Sequence, residues 1–166
     1  LPEDKRINIK SKISLRDCQP AFIDKIIAAD SGVGVAPPGS GKTCMALEII
    51  ARLGLKTLWL THTSSLAKQT LDRVKEFIEV DKVGYIGQGA WSIGDITVGL
   101  VQTLMRRDLS EIVKEFSLII VDETHHVPAS MFSNVVNQFW AKKYIGLSAT
   151  PYRKDGLEDM MYAILG

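Results

Sequence analysis

Residues Ala36 to Thr43, which read Ala-Pro-Pro-Gly-Ser-Gly-Lys-Thr, decide the fold because they match the loop that binds nucleotide phosphates. The apolar residues from Val33 to Ala36 predict a strand, and the helical pattern after the loop ends at Gly54. A strand that enters a helix through such a loop directs backbone N–H groups and the positive end of the helix at phosphate oxygens. The residues predicted to bind phosphate are Pro38, Gly39, Ser40, Gly41, Lys42 and Thr43, and the Thr43 hydroxyl is also predicted to bind Mg²⁺.

Strand and helix patterns alternate on both sides of this loop. The continuous apolar run from Leu118 to Val121 is typical of a central parallel strand. Such alternation predicts an α/β fold with three layers, in which helices cover both faces of a mostly parallel sheet. The other predicted strands are 57–61, 82–86, 95–101 and 144–147, and the other predicted helices are 14–30, 64–78, 110–115, 131–139 and 157–165.

The composition is that of an ordinary folded domain. The chain has 166 residues, of which 46% are hydrophobic and 23% charged, and this excludes a disordered chain. Its net charge of +1 gives no general attraction to nucleic acid, so any such contact must be local. Cys18 and Cys44 lack the spacing of a zinc site or a disulfide framework.

The sequence carries no membrane or secretion signal. No apolar run reaches the roughly 18 residues of a membrane span, and no signal peptide is recognisable. We therefore expect a soluble intracellular protein, cytoplasmic or, in a eukaryote, nuclear. The start at Leu1-Pro2, without Met, predicts a piece of a longer protein.

An acidic pair, Asp122-Glu123, follows the strand that begins at Leu118. Ligands of open parallel sheets bind at the carboxyl ends of the strands, which is also the end where the phosphate loop emerges. One carboxylate there can hold Mg²⁺, and a second can orient and deprotonate an attacking water. We assign the first role to Asp122 and the second to Glu123.

Several further motifs accompany these two, and together they resemble a known family. The set is similar to the first RecA-like motor domain of superfamily 2 DExH-box helicases and translocases, in the branch of type III restriction motor subunits and nucleotide-excision-repair helicases. The matching segments are 15–19 (Q motif), 36–43 (motif I), 61–69 (motif Ia), 98–104 (motif Ib), 121–125 (the DExH box, Val-Asp-Glu-Thr-His) and 148–150 (motif III, Ser-Ala-Thr). They occur in the order that the family shows.

The resemblance implies an ATP hydrolase that uses Mg²⁺ and moves on nucleic acid, with DNA favoured over RNA. It assigns adenine recognition to Arg16 and Gln19, a γ-phosphate sensor to His125, and coupling of the nucleotide state to Ser148 and Thr150. The nucleic-acid contacts that it implies are Thr61, Thr63, Ser64, Gln102 and Thr103.

The resemblance also implies a domain organisation. A lead-in segment at 1–13 precedes a helicase ATP-binding domain at 14–166, and the family's second RecA-like domain is absent from this chain. Because that second domain supplies arginines to the γ-phosphate, we expect the isolated chain to be nearly inactive.

Two other functions remain open from the residues alone. A phosphoryl-transferring kinase could use the same loop, although no Arg-rich lid segment is recognisable, and a nucleotide-binding module could lack turnover. The alternative for the residues implied to contact nucleic acid is that they are plain helix caps and strand ends. Of the tryptophans that could stack on bases, Trp59 is predicted to be core and Trp91, in a Gly-rich turn, to be the better candidate for exposure. The basic pairs 106–107 and 142–143 are predicted to be solvated.

Overall fold

The computed structural model describes residues 5–13, 27, 32–35, 42–122 and 129–148. Four described helices accompany nine strands along the chain. The helices are α1 (Lys42–Leu53), α2 (Ser64–Phe77), α3 (Val101–Met105) and α4 (Ala129–Val136). The strands are β1 (Ile9–Ser11), β2 (Gly32–Val35), β3 (Thr57–Thr61), β4 (Ile78–Val80), β5 (Val83–Gly87), β6 (Ala90–Ser92), β7 (Ile96–Leu100), β8 (Leu118–Asp122) and β9 (Lys143–Ser148).

Seven of the strands form one sheet in the order β2-β9-β8-β3-β7-β5-β6. Every neighbouring pair is parallel except β5 and β6, which form an antiparallel hairpin at the edge. The predicted mostly parallel sheet is therefore confirmed, and so is the α/β fold. The most hydrophobic predicted strand, β8, lies inside the sheet between β9 and β3.

Side-chain alternation along the strands divides the core into two clusters. Trp59 and Ile120 face α1 and α2, whereas Leu58, Ile119 and their neighbours face α3 and α4. Trp59 is fully buried, as predicted. Two helical layers thus enclose the sheet, and the central strands β3, β7 and β8 are buried along their whole length.

The segment that precedes residue 14 packs onto the domain. In the second, two-stranded sheet, β1 pairs antiparallel with β4. The Ser11 hydroxyl donates to the Glu48 carboxylate of α1 over 2.6 Å, and the Lys5 N–H donates to the Ser117 hydroxyl. Residues 5–13 are therefore attached to the same core that holds the phosphate-loop helix. The predicted domain start at residue 14 stays a prediction.

The structure corrects one predicted helix. Residues 110–115 form turns, because the Leu109 carbonyl accepts from both Ile112 and Val113 and the Val113 carbonyl is taken by the N–H of Trp140. Leu109, Ile112 and Phe116 are all buried. Their apolar spacing is therefore that of a helix, although the backbone does not continue the hydrogen-bond pattern of a helix. The short elements β4, β6 and α3 were not predicted, and α4 ends at Val136, before the expected Phe139.

The basic pairs differ from each other. Arg106 and Arg107 are exposed, as predicted, and so is Lys142. The prediction of a solvated side chain is wrong for Lys143, which is 8% exposed and donates from Nζ to the Ile27 carbonyl over 3.0 Å. A buried ammonium is tolerated there because a carbonyl oxygen accepts its hydrogen bond.

No described helix has the length and apolarity needed to cross a bilayer. Of the predicted helix at 14–30, only residue 27 is described, and it is helical. The predicted helix at 157–165 and the phosphate loop at 36–41 lie outside the described residues.

Candidate nucleotide and nucleic-acid sites

The strand ends that carry the predicted motifs form one continuous row at the carboxyl edge of the sheet. Val35, where β2 enters the phosphate loop, lies beside Ser148 on β9, and Leu147 lies beside Asp122 on β8. On the other side of β8, the row continues through β3 to β7, where Thr61 is paired with Leu100. The parallel pairing therefore places side by side the ends of the five strands that lead into motifs I, III, II, Ia and Ib.

The nucleotide end of the row is built on α1. The helix begins at Lys42, and its residues from Met45 to Ile50 are buried against the sheet. Thr43 is half-buried in the first turn. The positive end of this twelve-residue helix, which follows β2 in the chain after the phosphate loop, favours a negatively charged ligand.

Asp122 lies on the same face of the sheet as α1. Leu118 and Ile120, which precede it at alternate positions on β8, belong to the core cluster that packs against α1. The Asp122 side chain follows this alternation and is 5% exposed. Strands β8 and β2 are two strand spacings apart in the sheet, a distance of about 10 Å. Asp122 therefore lies on the face of the sheet that α1 covers, two strands from the one that leads into the phosphate loop.

Part of the predicted nucleotide site cannot be placed. Lys42 and Ser148 are located by their backbone, at the start of α1 and at the end of β9. The remaining predicted residues lie outside the described part of the chain, namely Arg16, Gln19, Pro38, Gly39, Ser40, Gly41, Glu123, His125 and Thr150. Within the described part, no group of three His, Cys, Asp or Glu side chains could hold a metal ion by itself.

The loop after β3 begins α2, and its polar residues differ in exposure. The Thr63 hydroxyl accepts from the Leu66 N–H over 3.1 Å, so Thr63 is the N-cap of α2. Ser64 is half-buried in the first turn. Thr61 is fully buried, and its hydroxyl has no hydrogen-bond partner among the described residues. The Thr61 side chain thus does not reach the surface, unlike Ser64.

Gln102 joins this loop to the loop after β7. Its Nε2 donates to the His62 carbonyl, and its Oε1 is buried without a partner in the described part of the chain. Thr103, the next residue of α3, is half-buried. The structure thus brings Thr63, Ser64, Gln102 and Thr103 together at the β3–β7 end of the row, away from β2.

One contact at this end was missed by the sequence reasoning. The Arg107 guanidinium lies 4.5 Å from the centroid of the Trp91 ring, in a cation–π arrangement. Trp91 is half-buried in β6 and packs against the core on the α3 side. Each residue could be singled out from the sequence, but their pairing depends on the unpredicted strand β6.

A family model supports the identification made from the motifs. The model described as "Type III restriction enzyme, res subunit" matches residues 12–153, most of the chain.

Two relatives are similar over nearly the whole chain. The chain is 34% identical over 158 residues to the "DNA 3'-5' translocase XPB2" of Sulfurisphaera tokodaii. This match covers 95% of the chain and 36% of that protein. It is 36% identical over 159 residues to a putative ATP-dependent RNA helicase of Acanthamoeba polyphaga mimivirus, over 92% of the chain and 31% of that protein. The chain thus spans about a third of the length of these curated relatives.

A solved structure shares the fold. The crystal structure of a hypothetical ATP-dependent RNA helicase from Sulfolobus tokodaii matches with a TM-score of 0.70 and 22% identity, over 86% of this chain and 47% of that one. At this identity the likeness concerns the fold, which is RecA-like in both.

Proposed function

Because the chain belongs to the family of type III restriction enzyme res subunits, as the first RecA-like motor domain of a superfamily 2 helicase, we propose that it binds ATP for a motor that moves on DNA. The observation that carries the proposal is the row of strand ends, in which Val35, Ser148 and Asp122 lie on three adjacent strands beside the start of α1. Neither a kinase nor a regulatory module accounts for the second, polar group of residues at the β3–β7 end of the same edge.

The phosphates of ATP bind at the start of α1. Backbone N–H groups of Gly39 to Gly41 surround them, and the Lys42 ammonium approaches the β- and γ-phosphates as a point charge. The partial positive charge at the helix end adds to this attraction. The buried body of α1 supports the proposal, because it holds the helix that begins at Lys42 against the sheet.

Thr43 and Asp122 form the proposed site for Mg²⁺. Their chemistry fits the ion, because Mg²⁺ prefers hydroxyl and carboxylate oxygens and retains several waters. The face that Asp122 shares with α1 supports the pairing. When bound, Mg²⁺ would neutralise charge on the transferred phosphate. Glu123, the next residue, accepts the proton of the attacking water.

The remaining proposed residues either bind the adenine base or couple the bound ATP to movement. Arg16 and Gln19 bind the adenine edge, since an amide offers both a donor and an acceptor. His125 senses the γ-phosphate, and Ser148 and Thr150 transmit its presence to a second RecA-like domain of the same protein. That domain supplies the arginines that complete the site, so this chain alone should hydrolyse ATP very slowly.

The nucleic acid binds at the β3–β7 end of the edge. Ser64, Gln102 and Thr103 offer hydroxyl, amide and backbone N–H donors, which hold phosphates without reading sequence. The buried Thr61 contributes through its backbone, and Thr63 by capping α2. DNA is proposed over RNA because the relatives named as DNA translocases or DNA helicases outnumber the relative from mimivirus that is named as a putative RNA helicase.

The substitution Lys42→Ala tests the proposed ATP site. Loss of the charge on the β- and γ-phosphates should weaken ATP binding at least about tenfold and abolish DNA-stimulated hydrolysis by the intact protein. ATP affinity is measured by isothermal titration calorimetry and hydrolysis by phosphate release. Lys75→Ala, which removes an exposed lysine in the last turn of α2, is the control. Normal ATP binding by Lys42→Ala would place the nucleotide elsewhere.

A further inference from the structure

An aromatic–arginine stack stands at the nucleic-acid end of the sheet edge. Trp91 rests with one side on the core, and the exposed Arg107 covers the ring at 4.5 Å from its centroid. The apolar contact fixes the indole, and the indole in turn restricts the position of the guanidinium. Arg107 is thus an exposed cation held in a defined place.

The stack lies beside the proposed nucleic-acid contacts. Trp91 is paired with Ile86, next to the turn that closes the β5–β6 hairpin at the carboxyl end of β5. Helix α3 starts directly after β7, at the same edge, and is only five residues long. Arg107 follows two residues after its end, so it lies within roughly 10 Å of the edge and on the α3 segment that carries Gln102 and Thr103.

The guanidinium of Arg107 keeps its hydrogen-bond donors available. Within the described part of the chain it makes no ion pair or side-chain hydrogen bond. The carboxylate of the next residue, Asp108, is directed at Ser110, and its Oδ1 accepts from the Ser110 N–H over 3.0 Å. Hydrogen bonds from the backbone and the side chain of Ser110 hold the pKa of Asp108 below its usual value. The guanidinium carbon lies 4.5 Å from the centroid of the Trp91 ring, and the guanidinium N–H groups, which make no hydrogen bond among the described residues, are available to a bidentate acceptor.

We propose that Arg107, positioned by Trp91, binds a phosphodiester of the nucleic-acid strand that passes Gln102 and Thr103. The ligand is identified by its chemistry, since a phosphate group accepts two parallel N–H bonds from a guanidinium. The exposed Arg106 adds a second positive charge beside it. This contact extends the proposed nucleic-acid surface from β3 and β7 to the β5–β6 hairpin and rests on the proposed function.

The test compares Arg107→Ala with Lys114→Ala in the intact protein. Lys114 lies 4.4 Å from the centroid of the Trp140 ring, so its removal also deletes one positive charge and one cation–π contact. Lys114 precedes β8 in the chain, and it therefore lies at the amino edge of the sheet, opposite the carboxyl edge that carries the proposed nucleic-acid contacts. Affinity for a fluorescein-labelled duplex DNA with a single-stranded tail is measured by anisotropy at several salt concentrations, together with ATP affinity.

Arg107→Ala should weaken DNA binding roughly tenfold at low salt and reduce the slope of log K against log salt by about 1. ATP affinity should stay unchanged, and Lys114→Ala should bind DNA as the wild type does. Arg107→Lys should recover the salt slope, because it keeps the charge, but only part of the affinity, because it loses the planar fork.

Two outcomes overturn the inference in distinguishable ways. If the wild type binds DNA and Arg107→Ala matches Lys114→Ala, the stack is structural and the proposed function stands. If the wild type binds no nucleic acid at any salt concentration, the proposed function fails together with this contact. Trp91→Phe, which keeps an aromatic ring on the core, checks that any effect is not caused by unfolding, and it should bind more tightly than Arg107→Ala.

Discussion

Gly94→Ala is expected to destabilise the domain strongly, because two stretches of backbone approach each other at this glycine. A Cβ at Gly94 would lie 2.6 Å from the Gly84 nitrogen and 2.6 Å from the Lys82 oxygen. The reciprocal Cβ at Gly84 would lie 2.6 Å from the Gly94 nitrogen. The two glycines thus allow the loop that precedes β7 to lie directly against β5.

The magnitude follows from the movement that a methyl group requires. Ordinary Cβ contacts start at 3.4 Å, so the backbone around Lys82 must move by about 0.8 Å. This movement stretches the 2.8 Å hydrogen bond from the Asp95 N–H to the Lys82 carbonyl beyond its useful range. Overpacking costs about 1–3 kcal/mol and a lost hydrogen bond about 1 kcal/mol, so the free energy of unfolding should fall by about 2–4 kcal/mol.

Urea unfolding, followed by tryptophan fluorescence, measures this free energy at constant m-value. Gly89→Ala is the matched control, since nothing lies within 4 Å of its Cβ and only its φ of +84° opposes a side chain. That strain costs about 1 kcal/mol. A loss below 1 kcal/mol for Gly94→Ala, or a larger loss for Gly89→Ala, would refute the close-approach reasoning.

Two further predictions concern carboxylates. The Lys56 ammonium donates to the Glu115 carboxylate over 2.9 Å and holds the pKa of Glu115 below its usual value. Because both side chains are partly exposed, the pair should contribute less than about 1 kcal/mol to the free energy of unfolding at neutral pH. This contribution should disappear as the pH falls through the lowered pKa. A Tm difference between wild type and Glu115→Gln that does not shrink as the pH is lowered from 7 into the acid range would contradict it. Glu123→Gln should still bind ATP in the intact protein but hydrolyse it about 10²–10⁴-fold more slowly, because an amide cannot accept the proton. Wild-type phosphate release by this variant would remove Glu123 from the mechanism.

The sequence was sufficient to predict the framework of the fold, because the deciding signals are local. The apolar run at β8 and the strand before the phosphate loop both require burial on two faces, and this requirement specifies a parallel sheet. Gly54 ends α1 with a φ of +63°, a conformation that glycine adopts without strain. The carboxyl-edge rule then predicted that Asp122 lies at the sheet edge where β2 ends, and the register shows this arrangement.

The errors arose where contacts distant in sequence decide the structure. The apolar spacing around Ile112 is that of a helix, but Trp140 takes the carbonyl that a helix would need. Lys143 looked solvated because no local pattern shows that the Ile27 carbonyl, 116 residues away in sequence, accepts its hydrogen bond. The stack of Arg107 on Trp91 depends in the same way on a three-residue strand too short for periodicity to detect.

The sheet also limits how ATP can influence the nucleic acid. Four strand spacings separate β2 from β7, so the two ends of the row are about 19 Å apart. The strands between them that are buried on both faces, β8 and β3, pack too densely to change their spacing with the nucleotide state. We infer that a change in the bound nucleotide cannot move the nucleic-acid end relative to the ATP end within this domain. In the proposed motor, movement along the nucleic acid therefore depends on the loops, where Gln102 donates to the His62 carbonyl, or on the proposed second domain.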